Sequence, residues 1–172
     1  HAEDLPSAAT RMGIFLMSVR RLLAAGYVYI GLDHFAKPDD DLNQARLNQS
    51  LHRNFQGYTT RAECDLVGFG ISAIGKIGDA YIQNHHSLNA YRDSLERGEL
   101  PTAKGFDLSP EDALRREVIM TVMCSMPLDF DAFRARHGRA FEACFPDELE
   151  RLRPYADAGL LELDARGLRV LP

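Results

Sequence analysis

The sequence has no cysteine framework: Cys64, Cys124 and Cys144 are odd in number and far apart, with no Cys-x-x-Cys pair and no histidine at zinc-finger spacing. A disulfide-stapled mini-protein is excluded, and buried thiols in a reducing compartment are expected. No apolar run approaches the roughly 20 residues of a membrane helix, and His1 to Pro6 carry no signal-peptide pattern, so a cytoplasmic protein without membrane contact is expected. An excess of positive charge is also missing. The net charge of -5 argues against nonspecific adhesion to nucleic acid or anionic lipid, although it does not forbid a local basic groove. Internal repeats and low-complexity segments are absent as well.

What is present suffices for an ordinary core: 172 residues, 45% hydrophobic and 26% charged. Met12, Phe15, Leu16, Val19, Leu22 and Leu23 follow helical spacing from Ser7, and Gly26 supplies a left-handed stop. Tyr27 to Leu32 then reads as a strand buried on both faces, with Asp33, His34 and Phe35 at its carboxyl end, where α/β units gather ligands. Asp39, Asp40 and Asp41 sit at a helix start, and residues 52–60 have neither period and read as an ordered loop. Four glycines among apolar residues in 65–78 suggest close backbone approach rather than a regular element. Leu88, Tyr91 and Leu95 predict a short helix ended by Gly98, followed by a connector to Asp107. Ser109-Pro110-Glu111-Asp112 opens a helix carrying Leu114, Val118, Val122 and Met126. Further helices are predicted over 131–137 and from Pro146 towards Ala158, the latter with Pro154 where a kink could form, then a hairpin about 164–167. Three helices and a hairpin suggest a winged-helix-like cap, so the fold class is α/β, then mainly α.

Several chemical motifs compete with structural readings. Gly68-x-Gly70-x-x-Ala73 satisfies a loose dinucleotide fingerprint, but Gly75 and Gly78 interrupt the helix that it needs, and a tight structural loop is favoured. His85 and His86 are sequential and would diverge, which favours a solvated pair over a metal site. His34 and His52 could each meet an anionic substrate, the latter beside Arg53. Asp39 to Asp41 radiate from a helix start, so a solvated terminus is favoured over a cation site. Met120, Met123 and Met126 read as core. A winged helix raises DNA binding, yet residues 146–159 carry Asp147, Glu148, Glu150 and Asp157 against Arg151 and Arg153, which would repel a duplex.

Three blocks carry a family resemblance: Ile30-Gly31-Leu32-Asp33-His34-Phe35-Ala36-Lys37-Pro38-Asp39-Asp40, His52-Arg53-Asn54-Phe55-Gln56-Gly57-Tyr58-Thr59-Thr60, and Gly70-Ile71-Ser72-Ala73-Ile74. The chain resembles, over practically its whole length, the oxygen-independent coproporphyrinogen III oxidases (coproporphyrinogen dehydrogenases), radical SAM enzymes of haem biosynthesis. The second block favours these oxidases over the related haem-chaperone branch, which stands as an alternative beside a winged-helix nucleic-acid-binding module. The family's cluster motif, Cys-x-x-x-Cys-x-Cys, is not in this sequence. The resemblance therefore implies a carboxyl-terminal fragment, with His1 a boundary in front of a barrel helix: residues 1–90 would hold the last helix and strand of a radical SAM (β/α) partial barrel and its closing loops, and 91–172 the helical cap.

In the enzymes that the chain resembles, a reduced [4Fe-4S] cluster cleaves S-adenosylmethionine. The resulting radical removes hydrogen from a propionate, which loses carbon dioxide to become a vinyl group, twice per coproporphyrinogen III, giving protoporphyrinogen IX. The resemblance implies that Gln56 and Ile74 lie at the cofactor sites. An amide can bond polar groups of S-adenosylmethionine, and a glycine-flanked isoleucine can cover an adenine. His52 or Arg53 is expected to hold substrate carboxylates. The implied parent is monomeric and is served by an electron donor; the fragment alone is expected to be inactive, with no cofactor or metal bound.

Overall fold

The computed structural model describes residues 4–62 and 64–171. The boundary placed at His1 lies outside the described residues. The chain divides into two compact units, residues 1–52 with 58–60, and residues 53–57 with 61–172.

In the first unit, α1 (Ala8–Ala24) is capped by Ser7, whose side chain accepts from the Thr10 amide, and is left through Gly26 at φ +81°. No α1 residue is buried, and Met12, Ile14, Phe15, Leu16, Met17 and Leu23 are exposed. The segment expected to form a strand buried on both faces is instead one arm of a hairpin: β1 (Val28–Gly31) pairs antiparallel with β2 (His34–Ala36). Only Ile30 of β1 is buried, and Tyr29 leans on Phe35 with ring centroids 5.2 Å apart. The reversal is made at Leu32, held at φ +51° while its carbonyl accepts from the Tyr29 hydroxyl. Asp33 and His34 thus lie at a hairpin turn rather than beyond a parallel strand. Helix α2 (Asp41–Leu47) has Asp40 as its cap, accepting from the Leu42 amide, so the acidic run is a helix start.

Residues 52–60, expected as a loop, form a tight hairpin of β3 (His52–Asn54) and β4 (Gly57–Thr59), and the division between units runs through it. Strands of three residues are too short to show a hydrophobic period.

The second unit holds two antiparallel sheets. The first has the order β5 (Ile74–Ile77), β6 (Ala80–Asn84), β7 (Thr102–Asp107), with α3 (Leu88–Glu96) between β6 and β7. Strand β7 lies where a connector was expected; it pairs with β6, and the residues between them, including residue 90, lie on and around α3. All six of its residues are exposed, so it shows no apolar alternation and owes its extended form to pairing with β6. Next, α4 (Pro110–Met123) opens with the reciprocal Ser109–Asp112 capping box. Strand β8 (Leu128–Asp129), α5 (Phe130–His137), α6 (Phe141–Cys144), α7 (Pro146–Asp157), β9 (Leu161–Leu163) and β10 (Gly167–Val170) complete the chain, and the second sheet runs β8-β10-β9. Helix α7 continues through Pro154. Leu114, Leu128, Phe130, Phe133, Phe141, Phe145, Leu161 and Leu168 form the core here; Met120, Met123 and Met126 are half-buried and lie outside it.

Candidate functional site

The sequence-predicted residues gather about the β3–β4 turn and the β5-β6-β7 sheet. Gln56 is exposed at the turn, its amide N–H bonded to Asn54 Oδ1 at 2.8 Å, which fixes the backbone and leaves the side-chain amide outward. Its neighbour Phe55 stands edge-on to Tyr81 of β6, ring centroids 5.3 Å apart, and so ties the turn to the sheet. Ile74, half-buried, begins β5 opposite Gln83 of β6. Directly paired residues share a sheet face. Register therefore places Ile74, Gln83 and Lys104 in one row and Lys76, Tyr81 and Phe106 in the next, on the face that Phe55 covers in part. The Gln56 turn and Ile74 are thereby brought to one surface.

The opposite face explains the glycines. Ile82 is flanked by Gly75 and Gly105, and a Cβ on Gly75 would stand 2.7 Å from the Leu66 carbonyl oxygen. A Cβ on Gly68 would likewise come within 2.9 Å of the Ile74 carbonyl oxygen, so close backbone approach is real at both positions. The dinucleotide fingerprint fails, however, because the segment after Ala73 is strand β5 and not the helix that pyrophosphate binding needs.

Sequence reasoning missed what holds this segment. Asn84, 8% exposed at the end of β6, donates from Nδ2 to the Gly68 and Gly70 carbonyls, each at 3.0 Å. The Tyr91 hydroxyl of α3 accepts from the Gly70 amide at 3.1 Å, Gln83 Nε2 donates to the Ser72 carbonyl at 3.0 Å, and Ser72 sits at φ +62°. A positive φ on a non-glycine residue persists where its surroundings over-determine it. Residues 68–73 are thus fixed irregular backbone that presents Phe69 and Ile71 to solvent, Phe69 at 87% exposure. An asparagine followed by two histidines gives no local signal of this role.

His52 and Arg53 stand half-buried on β3. The Arg53 charge reaches the buried Cys124 thiol, whose pKa burial pushes up and the guanidinium partly restores. His34, in the other unit, pairs with Asp33 at 2.8 Å and stands edge-on to Tyr58. His86 Nδ1 lies 3.0 Å from the Ser72 hydroxyl, so it supports the loop, and the two neighbouring histidines join no metal set. Among the described residues, no three His, Cys, Asp or Glu side chains could hold a metal ion, and no helix is long and apolar enough to cross a membrane. A shallow depression over β8-β10-β9 shares no residue with this face; in it Arg169 pairs with Glu162 and Arg166 with Asp164, while Asp129 caps α5.

Residues 108–172 match the family model described as the HemN C-terminal domain. Over 99% of its length the chain is 42% identical to 37% of an oxygen-independent coproporphyrinogen III oxidase from Pseudomonas aeruginosa. It is 43% identical, over 98% of its length, to 52% of the protein of the same name from Thermostichus vulcanus. The solved structure of coproporphyrinogen III oxidase (HemN) from Escherichia coli, described as a radical SAM enzyme, superposes on 99% of the chain with a TM-score of 0.89 at 38% identity, using 39% of that protein. The chain is homologous to the carboxyl-terminal part of these oxidases and spans well under two thirds of their length.

Proposed function

We propose that this chain is the carboxyl-terminal part of a cytoplasmic oxygen-independent coproporphyrinogen III oxidase, which decarboxylates two propionates of coproporphyrinogen III to vinyl groups, yielding protoporphyrinogen IX. The observation that carries the reading is the meeting of the Gln56 turn and Ile74 on one open sheet face, in a chain homologous along its length to proteins of that name. The fold reading that goes with it is the closing end of a radical SAM barrel followed by a winged-helix-like cap built from α4, α5, α7 and the β9–β10 hairpin.

The residues present fit S-adenosylmethionine: an outward amide at Gln56 for its polar groups, and a half-buried isoleucine on an open face for its adenine. When bound, that cofactor supplies the radical that takes hydrogen from a propionate. The chain's contribution is to hold. Asn54 fixes the Gln56 backbone, Phe55 docks the turn on Tyr81, and Asn84 with Tyr91 fixes the run into Ile74. The described residues do not fit an iron–sulfur cluster, since the exposed Cys64, buried Cys124 and half-buried Cys144 form no ligand set. His52 and Arg53 are proposed contacts for substrate carboxylates.

A nucleic-acid module is disfavoured by α7, where Arg153 is already paired with Glu150 at 2.7 Å and acids outnumber bases. The test is anaerobic reconstitution of the intact enzyme with iron and sulfide. Conversion of coproporphyrinogen III with cleavage of S-adenosylmethionine is expected, and Gln56→Ala should raise KM for that cofactor. Absence of both reactions, or salt-dependent duplex binding without them, would overturn the reading.

A further inference from the structure

We infer that Lys76 and Lys104 form a cation pair that receives carboxylates of the tetrapyrrole substrate on the same sheet face that carries Ile74. The assignment rests on the function proposed above and deepens it. The chain contains three lysines, Lys37, Lys76 and Lys104, and it is acidic overall at -5. Register puts two of the three on one face of β5-β6-β7, in rows whose other members are Ile74, Gln83, Tyr81, Phe106 and, bridged to Lys76, Leu66, with no carboxylate among them.

Elsewhere in this unit Arg97, Arg115, Arg116, Arg136, Arg139, Arg153, Arg166 and Arg169 each meet an aspartate or glutamate, whereas Arg92, Arg134 and Arg151 form no ion pair among the described residues, so what sets the lysines apart is their shared sheet face. Lys76 and Lys104 form neither an ion pair nor a side-chain hydrogen bond among the described residues. Two positive charges on a face without a negative one attract an anion from outside.

Spacing selects the kind of anion. Lys76 and Lys104 are two strands and two residues apart, so their Cα atoms are separated by about 12 Å, and their flexible stems extend the reach. The surface between them is Tyr81, Gln83, Ile74 and the exposed Phe106, apolar or neutral. A macrocycle with several propionates offers well-separated carboxylates about an apolar ring, which matches two separated ammonium groups about an apolar patch. S-adenosylmethionine has one carboxylate and a sulfonium charge that the lysines would repel.

The experiment uses the intact reconstituted enzyme with Lys76→Met, Lys104→Met, the double methionine variant and the double arginine variant. KM for coproporphyrinogen III and KM for S-adenosylmethionine are measured separately at low and high salt, with cluster content and Tm as folding controls. The double methionine variant is expected to raise KM for coproporphyrinogen III by about tenfold or more, as loss of charge-assisted bonds does. Its KM for S-adenosylmethionine should not move, the arginine variant should stay near wild type, and salt should reduce the difference. A rise in the cofactor's KM alone would transfer the lysines to that carboxylate and overturn the assignment, as would no change in either KM. If the wild-type enzyme cleaves S-adenosylmethionine yet leaves coproporphyrinogen III unconverted, the proposed function fails. Binding of coproporphyrin III, read by its fluorescence in wild type and double variant, then decides the lysine assignment by itself: equal affinity overturns it.

Discussion

Substituting Asn84 by aspartate should release residues 68–73 while leaving the rest of the second unit folded. The Asn84 amide is buried and donates two 3.0 Å hydrogen bonds, to the Gly68 and Gly70 carbonyls. A carboxylate cannot donate and would turn its charge on both carbonyl dipoles. Losing two such bonds and leaving their acceptors poorly solvated costs about 2–4 kcal/mol, confined to the loop. A loss of about 2 kcal/mol lowers amide protection roughly 30-fold where opening is local. Hydrogen exchange of the 172-residue chain reads this at three amides: Gly70, bonded to the Tyr91 hydroxyl, Ser72, bonded to the His85 carbonyl at 2.9 Å, and Ala73, bonded to the Gly70 carbonyl at 3.4 Å. The Cys124 amide, bonded to the Met120 carbonyl in α4, serves as the reference. Unchanged protection at the three loop amides, or an equal loss at Cys124, would refute the claim that Asn84 fixes this segment locally.

Phe141 is 3% exposed and packs on Phe130, Phe133 and Phe145 with ring centroids 4.6, 5.1 and 4.8 Å away. Phe141→Ala should therefore cost about 4 kcal/mol and lower the second unit's Tm, followed by circular dichroism, by about 15 °C; Phe69→Ala, at 87% exposure, should shift it by less than about 2 °C. Gly75→Ala drives a Cβ to 2.7 Å from the Leu66 carbonyl and should lower the urea midpoint by the equivalent of about 1–3 kcal/mol, whereas Gly105→Ala, 3.6 Å from its nearest neighbour, should leave it unchanged or raise it slightly. Hydrogen bonds from Ser109 hold the Asp112 carboxyl below the ordinary carboxylate range, so its stabilising effect is full above pH ~4 and lost as pH falls through the lowered value. Ser109→Ala should accordingly flatten the acid limb of stability, measured as urea midpoints down to about pH 2.

Elements with long, periodic or well-capped sequences were legible. The apolar spacing from Met12 to Leu23 and the Ser109–Asp112 box each lead to the helix observed, and the alternation about residues 164–167 leads to β9 and β10. Short pairing was not. β3, β4 and β8 have two or three residues each, too few for any period, and β7 is solvent-facing throughout, so nothing in Thr102 to Asp107 marks it as strand. The Tyr27–Leu32 run misled for a different reason: aromatic and β-branched residues fit a two-stranded hairpin as well as a buried parallel strand, and the deciding feature is the reversal at Leu32, which Gly31 alone, at the end of an apolar run, does not specify.

The candidate face shows the same limit at the level of chemistry. Gln56 and Ile74 could be named because they sit in recognisable strings, but the relation between them is long-range. It depends on Phe55 reaching Tyr81 and on the register that sets Ile74 against Gln83, neither of which has a local signature. The lysines follow from that register alone. A shift of β7 by one residue would turn Lys104 to the opposite face, where Ile82 packs against Gly75 and Gly105, and would leave Lys76 as a solitary cation. The tight position on that face is Gly75, where a Cβ would stand 3.1 Å from Ile82 and 2.7 Å from the Leu66 carbonyl oxygen, while Gly105 lies opposite Ile82 on the other side. The small residues on one face and the charges on the other are therefore a single constraint on pairing. Backbone packing about Ile82 determines where the Lys104 charge is presented.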